Sequence, residues 1–405
     1  DIMDIRRIVM KYIRRLLLLF IIFLSFINKT YALENIDVQS KNAILYNLKD
    51  DKVIYEKSPD DRVNIASLTK IMTALVAIEN IDDYNKQIII TRKMLENLPN
   101  DLSKVGFKVG EVVTYNDLIY GILLKSGADA TNSVAISVSG NIDEFVKLMN
   151  KKAEELDMNN SSFSNTIGIE GYNHYSTARD ISKLLKYAIK NEKFLNVFTT
   201  KHYNSTNGEH KMNGPLKRIE ESELDMTYVK GAKTGYTSKA GLCLASIAKY
   251  KKIDYLLVTL GAPYENKKQH FEDSKKIYEY FFDNYNYKTI LSKGENITSI
   301  KTVYGKEYDI KSDKNYKIYL KNSIENTDLD KEYVGKTILD KKVKKGTKIG
   351  TYYIKYKGEI LYSKKILSPC DVTFDFLFFI ENNFILFNLF FIVLILIMII
   401  RIKRK

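Results

Sequence analysis

The sequence predicts an α+β fold in which one antiparallel sheet is covered by helices, followed by a small all-β domain and a C-terminal transmembrane helix. Three observations lead there. Strand-like segments open and close the first two thirds of the chain with helical segments between them, an order that favours one sheet of sequence-distant strands over alternating βαβ units. After about Tyr287 the texture changes to short alternating runs such as "SIKTVYG", "KIYLK" and "GTYYIKYKGEILYSKK", which read as strands joined by close turns. Near the end, "FILFNLFFIVLILIMII" from Phe384 to Ile400 carries no charge and, with its flanks, has about the length that crosses a bilayer.

Taken in order, residues 1–32 read as an export signal. Arg6, Arg7, Lys11, Arg14 and Arg15 precede the apolar run Leu16 to Ile27, and Thr30 and Ala32 have the spacing of a small-residue cleavage site. From Lys41, "NAILYNLKDDKVIYEK" alternates around a polar turn and predicts a β-hairpin. Helices are expected after Ser67, over Tyr115 to Ser126, over Ile142 to Met158 and from Ala178, where Thr177 and Asp180 have capping-box spacing. "GLCLASIAKY" (Gly241 to Tyr250) and "IDYLLVTLGAP" (Ile253 to Pro263) predict two strands with a tight "KK" connection. The chain thus divides into a catalytic-type domain at 33–286, a β domain at 287–372, a linker at 373–383, a membrane anchor at 384–400 and a basic cytoplasmic tail at 401–405. Arg401, Lys403, Arg404 and Lys405 follow the anchor at once, so the positive-inside bias keeps the tail in the cytoplasm and the body on the extracytoplasmic side of the cell membrane.

The formal charge of +14 over 405 residues invites a nucleic-acid reading, but residues 1–32 carry +4 and the last five another +4. The remaining +6 is an ordinary surplus for a protein beside anionic polymers or lipid head groups, so no nucleic-acid partner is expected. Cys243 and Cys370 are far apart and read as isolated thiols. His174, His202, His210 and His270 form no i, i+4 pair and join no cluster at ligand spacing, so no metal is expected.

In "NIASLTKIMTALVAIEN", Asn64 to Asn80, Ser67 and Lys70 lie three apart at the start of an apolar helix. Positions i and i+3 share a helical face, so the amine can reach the hydroxyl. A serine needs a base to become a nucleophile, and a lysine serves if burial, a helix N-terminus or a second cation keeps it neutral. Ser-Lys pairs are a known variant of the serine triad. A second S-x-x-K, Ser246 and Lys249, sits in an expected strand, where residues three apart point to opposite faces.

Downstream, "KTGYTSKAG" leads into the strand at Gly241. On an edge strand facing the helix, Lys233 supplies positive charge for a substrate carboxylate and helps keep Lys70 neutral, and Thr234 adds a hydroxyl. Gly235 leaves room for a ligand, and the N–H of Tyr236 joins that of Ser67 as an oxyanion hole. "LLKSGADATN" offers Ser126 for the opposite wall of the cleft.

The ordered motifs Ser67-x-x-Lys70, Ser126-Gly127-Ala128 and Lys233-Thr234-Gly235 resemble those of serine penicillin-recognising enzymes. Within that β-lactamase/transpeptidase-like superfamily the chain looks like a D-alanyl-D-alanine carboxypeptidase of the low-molecular-weight penicillin-binding class. The likeness spans about Lys41 to Lys276 and includes "VGEVVTYNDLIYGILLKSGADA", "HYSTARD" and "GAKTGYTSKAGLCLAS". It implies that Ser67 attacks the amide between the terminal D-alanines of a peptidoglycan stem peptide while Lys70 takes its proton. Ser126 then relays a proton to the leaving amine, and Lys233 with Thr234 holds the carboxylate. It also implies that β-lactam antibiotics acylate the same serine and that no cofactor is needed.

Ala128 departs from the usual S-G-N, and the literal Ser139-Gly140-Asn141 lies before a helix and does not match the motif's flanks. Asp129 and Asn132 are candidates to compensate, or else residues that cap the following helix. Two other readings remain at this point. A β-lactamase would need a water-activating glutamate, and only Glu170 in "GIEGYN" is offered, without the E-x-x-L-N pattern. A non-catalytic wall-binding relative would show Ala128 as the first loss.

Overall fold

The computed structural model describes residues 35–373 and 375–403, so the expected export signal and the last two residues of the basic tail lie outside the described residues. Contacts divide the chain into two units between Tyr280 and Phe281.

In the first unit the expected hairpin is present as β1 (Asn42–Asn47) and β2 (Lys52–Lys57), antiparallel with one register shift. Two small hairpins follow along the chain, β3 (Gln87–Ile89) with β4 (Val112–Thr114) and β5 (His202–Asn204) with β6 (Lys211–Asn213). β7 (Val229–Thr237), β8 (Gly241–Tyr250) and β9 (Ile253–Ala262) complete the main sheet, whose order is β2-β1-β9-β8-β7. Every neighbour pair in it is antiparallel. The first hairpin therefore pairs with the last strand, and β7 is left as an edge. Lys251 and Lys252 both have positive φ in the β8–β9 turn, the backbone that a two-residue hairpin loop requires.

Both faces of the sheet are covered, and this is why β8 and β9 read as nearly unbroken apolar runs. Cys243, Ala245, Leu256, Val258 and Leu260 face the large helical core. On the opposite pleat, Ser246 Oγ meets the Tyr278 hydroxyl at 3.0 Å. Tyr278 belongs to an amphipathic helix over 269–284 that the sequence reading had not marked.

The helices are α1 (Thr69–Glu79), α2 (Arg92–Leu95), α3 (Tyr115–Tyr120), α4 (Ala128–Ser139), α5 (Ile142–Glu155), α6 (Ala178–Ala188), α7 (Glu192–Phe198), α8 (Pro215–Glu221) and α9 (Gln269–Asn284). Every residue of α1 from Thr69 to Ile78 is buried. A helix with no solvent face is a core helix, and Lys70 is its one ionisable residue before Glu79. The α6 start has the expected cap, with the Asp180 N–H donating to Thr177 Oγ1 at 3.0 Å. The helix expected to run to Ser126 changes instead to a π-helical turn over Gly121–Lys125. Ser139-Gly140-Asn141 is a helix boundary: Gly140 has φ 82° and Asn141 Oδ1 accepts from the Glu144 N–H at 2.9 Å.

The second unit is all-β. Strands β10 (Tyr285–Leu291) to β17 (Glu359–Leu367) form sheets ordered β10-β13, β12-β11-β15 and β14-β16-β17, where β11 to β16 are Asn296–Thr302, Glu307–Lys311, Tyr316–Lys321, Leu329–Gly335, Ile338–Leu339 and Lys348–Tyr356. Ile290, Leu291, Ile300, Leu339, Ile354 and Ile366 are among its core residues. Two helices end the described chain, α10 (Phe376–Asn382) and the 20-residue α11 (Phe384–Lys403). The expected anchor lies in α11, whose described apolar side chains, such as Ile385, Phe390 and Ile395, are exposed. Among the described residues no helix is long and apolar enough to cross a membrane; the side chains at 386 and 387, inside α11, are not among those described. Cys243 and Cys370 are both free thiols.

Candidate active site

Ser67 stands in a 3₁₀ turn, Ala66–Leu68, that runs directly into α1. Lys70 Nζ is 3.2 Å from Ser67 Oγ and 2.6 Å from the Ile167 carbonyl. The amine is 2 % exposed, and no carboxylate bonds to it among the described residues. Burial therefore pushes its pKa down to about 7, against a weaker upward pull from Asp129. Near neutral pH a large fraction of Lys70 is an amine with a free lone pair, as a base toward Ser67 requires.

Lys233 is fully buried on β7 and donates to Ser126 Oγ at 3.0 Å and to the Thr234 carbonyl at 2.8 Å. Burial, then the positive charges of Lys70 and Arg218, lower its pKa well below the usual lysine range. The charge of Lys70 thus helps to hold Lys233 down, whereas Lys70 itself is lowered by burial and not, as the sequence suggested, by Lys233. Ser126 follows the π-helical turn and has φ 58° and ψ 29°, a left-handed conformation uncommon outside glycine. π-Helical turns often mark functional positions because they re-aim one side chain; here the result turns Ser126 onto Lys233.

Gly235 comes closest to the nucleophile. A Cβ at this position would lie 2.8 Å from Ser67 N and 3.1 Å from Ala66 Cβ, so only glycine lets the edge strand lie against the serine turn. Tyr236 is 42 % exposed and stacks on Tyr264 with centroids 4.0 Å apart. Ser67, Lys70, Ser126, Lys233, Thr234 and Gly235 are thereby linked through direct contacts, with Tyr236 next along the same edge.

Ala128 is fully buried and presents only a methyl group, its N–H donating to the Ser103 carbonyl at 2.8 Å. Neither neighbour replaces the missing amide by an observed contact with the lysines. The Asp129 carboxylate anchors the 105–107 loop through the N–H groups of Val105, Gly106 and Phe107. Asn132 Oδ1 accepts from Thr166 Oγ1 at 3.1 Å.

The sequence reading missed two side chains. Arg218, an exposed residue of α8, donates from Nη2 to Thr234 Oγ1 at 2.6 Å. After the last strand, Lys268 Nζ donates to the Ser222 carbonyl and Lys267 lies over the Tyr264 ring. His270 is buried, pushed down to about 4 by burial and by Arg218, and its Nδ1 has no hydrogen-bond partner among the described residues. The other missed residue, His174, bonds to Thr69 just behind the serine turn. Apart from this site, Glu111, Glu209 and His210 gather their ligand-type atoms within 4.8 Å; Glu111 Oε1 and His210 Nε2 already bond to each other at 2.7 Å.

Residues 28–264 match the family model described as D-alanyl-D-alanine carboxypeptidase, more than half of the chain. The chain belongs to this family of serine peptidases. Residues 285–373 match the model for the C-terminal domain of penicillin-binding protein 5. The carboxypeptidase is 28 % identical over 375 residues to the D-alanyl-D-alanine carboxypeptidase DacF of Bacillus subtilis, covering 90 % of this chain and 95 % of that one. It is 28 % identical over 286 residues to DacA of Haemophilus influenzae, covering 68 % and 70 %. Penicillin-binding protein 5 of Haemophilus influenzae shares the fold, with a TM-score of 0.64 at 24 % identity over 85 % of this chain and all of that one.

Proposed function

We propose that this carboxypeptidase removes the terminal D-alanine from peptidoglycan stem pentapeptides through an acyl-enzyme on Ser67. The observation that carries the reading is the 3.2 Å contact between Ser67 Oγ and a buried Lys70 amine to which, among the described residues, no carboxylate bonds. Lys70 accepts the hydroxyl proton as Oγ bonds to the carbonyl carbon of the penultimate D-alanine. The oxyanion is held by the N–H groups of Ser67 and Tyr236. Ser126, oriented by Lys233, passes a proton to the departing amine and takes in its place the proton that Lys70 had accepted, so the C–N bond breaks, D-alanine leaves and Lys70 is neutral again. Water then attacks the ester with Lys70 again as base, which frees Ser67 and the shortened peptide. β-Lactams acylate the same oxygen when their strained amide takes the place of the dipeptide.

Thr234 and Arg218 form the carboxylate end of the site. Because Arg218 donates to Thr234 Oγ1, the hydroxyl's own hydrogen is free to point at an anion, and the remaining guanidinium donors lie beside it. Charged hydrogen bonds of this kind contribute about 1.5–3 kcal/mol. Arg218→Gln is therefore expected to lower kcat/KM for a D-Ala-D-Ala peptide by roughly tenfold to a hundredfold, mostly through KM. Gly235→Ala is expected to slow acylation by a fluorescent penicillin by roughly 10²-fold, since its methyl would cover the Ser67 N–H, the cost of losing one oxyanion donor.

The β-lactamase reading is not favoured. Glu170 Oε2 pairs with Lys239 Nζ at 3.1 Å, and its other oxygen accepts the Lys239 N–H, so this carboxylate is committed to a surface ion pair. Incubation of the full chain with labelled penicillin tests the choice: a long-lived adduct supports the carboxypeptidase, and rapid turnover supports the rival.

Membrane attachment is part of the same proposal. The uncharged stretch Phe384 to Ile400 within α11 would rise about 25 Å as a helix, a few Å less than the hydrocarbon core, a mismatch that a bilayer takes up by local thinning. The exposed apolar side chains of α11 need a non-aqueous partner, and the following basic residues favour an extracytoplasmic body.

A further inference from the structure

Ala66, immediately before the nucleophile, has φ 47°. A left-handed, non-glycine residue costs of order 1–3 kcal/mol unless its surroundings over-determine it. The surroundings do so through one chain of bonds. Thr69 Oγ1 donates to the Ala66 carbonyl at 2.9 Å and lies 2.9 Å from His174 Nε2. On the other side of the ring, Nδ1 faces the Ser164 N–H at 3.2 Å and Asn165 Nδ2 at 3.3 Å.

These partners fix every hydrogen. Asn165 Oδ1 accepts the N–H groups of Ile167, Gly168 and Ile169, so its amide nitrogen is the end that faces the imidazole. Two donors at Nδ1 make that nitrogen the acceptor. The ring proton of a neutral His174 therefore sits on Nε2 and goes to Thr69, whose hydroxyl hydrogen is left for the Ala66 carbonyl. Burial and the nearby Lys70 push His174 down to about 4, so the ring stays neutral where the enzyme works.

The segment that holds Nδ1 also carries the Ile167 carbonyl bonded to Lys70. Next to it, Gly168 lies so close to the serine turn that a Cβ there would fall 2.1 Å from the Ala66 carbonyl oxygen. His174 is thus the side chain that joins the turn bearing Ser67 to the loop steadying Lys70. We infer that His174, acting through Thr69, is a positioning residue that holds Ser67 Oγ in reactive register with the Lys70 amine. The inference rests on the acyl-enzyme reading above and deepens it.

The test is the rate constant for acylation of the full chain by a fluorescent penicillin, which, unlike the amplitude of labelling, does not depend on the fraction of folded protein. Thr69→Val keeps the shape and removes both bonds; it is expected to acylate roughly 10²-fold more slowly, the effect of a misplacement of about 1 Å. The half-saturating penicillin concentration should move by less than about threefold. Thr69→Ser, which keeps the hydroxyl, should restore the rate to within a few fold. His174→Ala should slow the reaction as Thr69→Val does, and the double variant should be no slower than either, because both remove one linkage. Should Thr69→Val fail to fold, His174→Ala against Thr69→Ser gives the same comparison. A Thr69→Val or His174→Ala enzyme that labels at the wild-type rate, with only a lower melting temperature, overturns the inference alone. A wild type that forms no adduct overturns the acyl-enzyme reading and this inference with it.

Discussion

Ser67→Ala is expected to abolish both D-alanine release and covalent capture of penicillin, a loss of roughly 10⁴-fold or more. The size follows from position. Among the described residues Lys70 bonds to one hydroxyl, at 3.2 Å, and its other bond goes to a backbone carbonyl that cannot act as a nucleophile. Lys233 is similarly committed to Ser126, which lies against the opposite lysine. Without Ser67 Oγ, the site keeps its cations and its open edge strand but has nothing to form the ester. The fold should be little affected: Ser67 is only partly buried, and removing one hydroxyl there leaves no deeply buried group unpaired, so stability should change by no more than about 0.5 kcal/mol. Release of D-alanine from a pentapeptide, measured beside a melting curve, checks both halves of the expectation.

The second large effect concerns Lys70 and pH. Burial lowers the amine to about 7, and only its neutral form can accept the serine proton. The acylation rate is therefore expected to rise about tenfold per pH unit below 7 and to flatten above it. Had Lys70 acted as a fixed cation, the rate would fall as pH rose through the same range. Lys70→Arg separates the two roles, because a guanidinium stays charged at every accessible pH. It should lower acylation by roughly 10³-fold or more and remove the ascending limb near 7, whereas a purely electrostatic role would leave substantial activity. The buried neighbour titrates in the same site, since the charge of Lys70 lowers the affinity of Lys233 for a proton.

What was legible beforehand was what local pattern controls. Alternation marked β1 and β2, and unbroken apolar runs marked β8 and β9 because both sheet faces are covered. Thr177 and Asp180 gave the start of α6. The two S-x-x-K copies could be separated by element type: Ser67 and Lys70 meet at the start of a helix, while on β8 Ser246 is buried and Lys249 is exposed. The missed features depend on tertiary placement. Arg218 reaches Thr234 only because α8 packs beside β7, and nothing in "PLKRIEE" announces it. Lys70's second acceptor is the carbonyl of Ile167, which has no side-chain signature. His174 read as a lone histidine, although "HYSTARD" lay within the resemblance; its meaning appears only once Thr69 and Asn165 are seen on its two nitrogens. The π-helical turn before Ser126 was likewise invisible, since a helix period continues through it.

Ala128 carries a physical lesson of the same kind. Its fully buried methyl leaves the cleft with one fewer amide, while the contacts between Ser126 and Lys233 and between Ser67 and Lys70 remain in place. The arrangement that performs proton transfer is therefore carried by the two hydroxyl–amine pairs.

The central claim is that an uncharged Lys70 makes Ser67 the acylated residue. It is tested most directly by incubating the full chain with penicillin, digesting it and locating the adduct by mass spectrometry, at pH 5.5 and pH 8 (both values about 1 unit or more from the Lys70 midpoint). The account predicts one modified peptide, that containing Ser67, formed much faster at the higher pH and absent from Ser67→Ala. An adduct on another residue, or labelling of Ser67 that is faster at the lower pH, would contradict it.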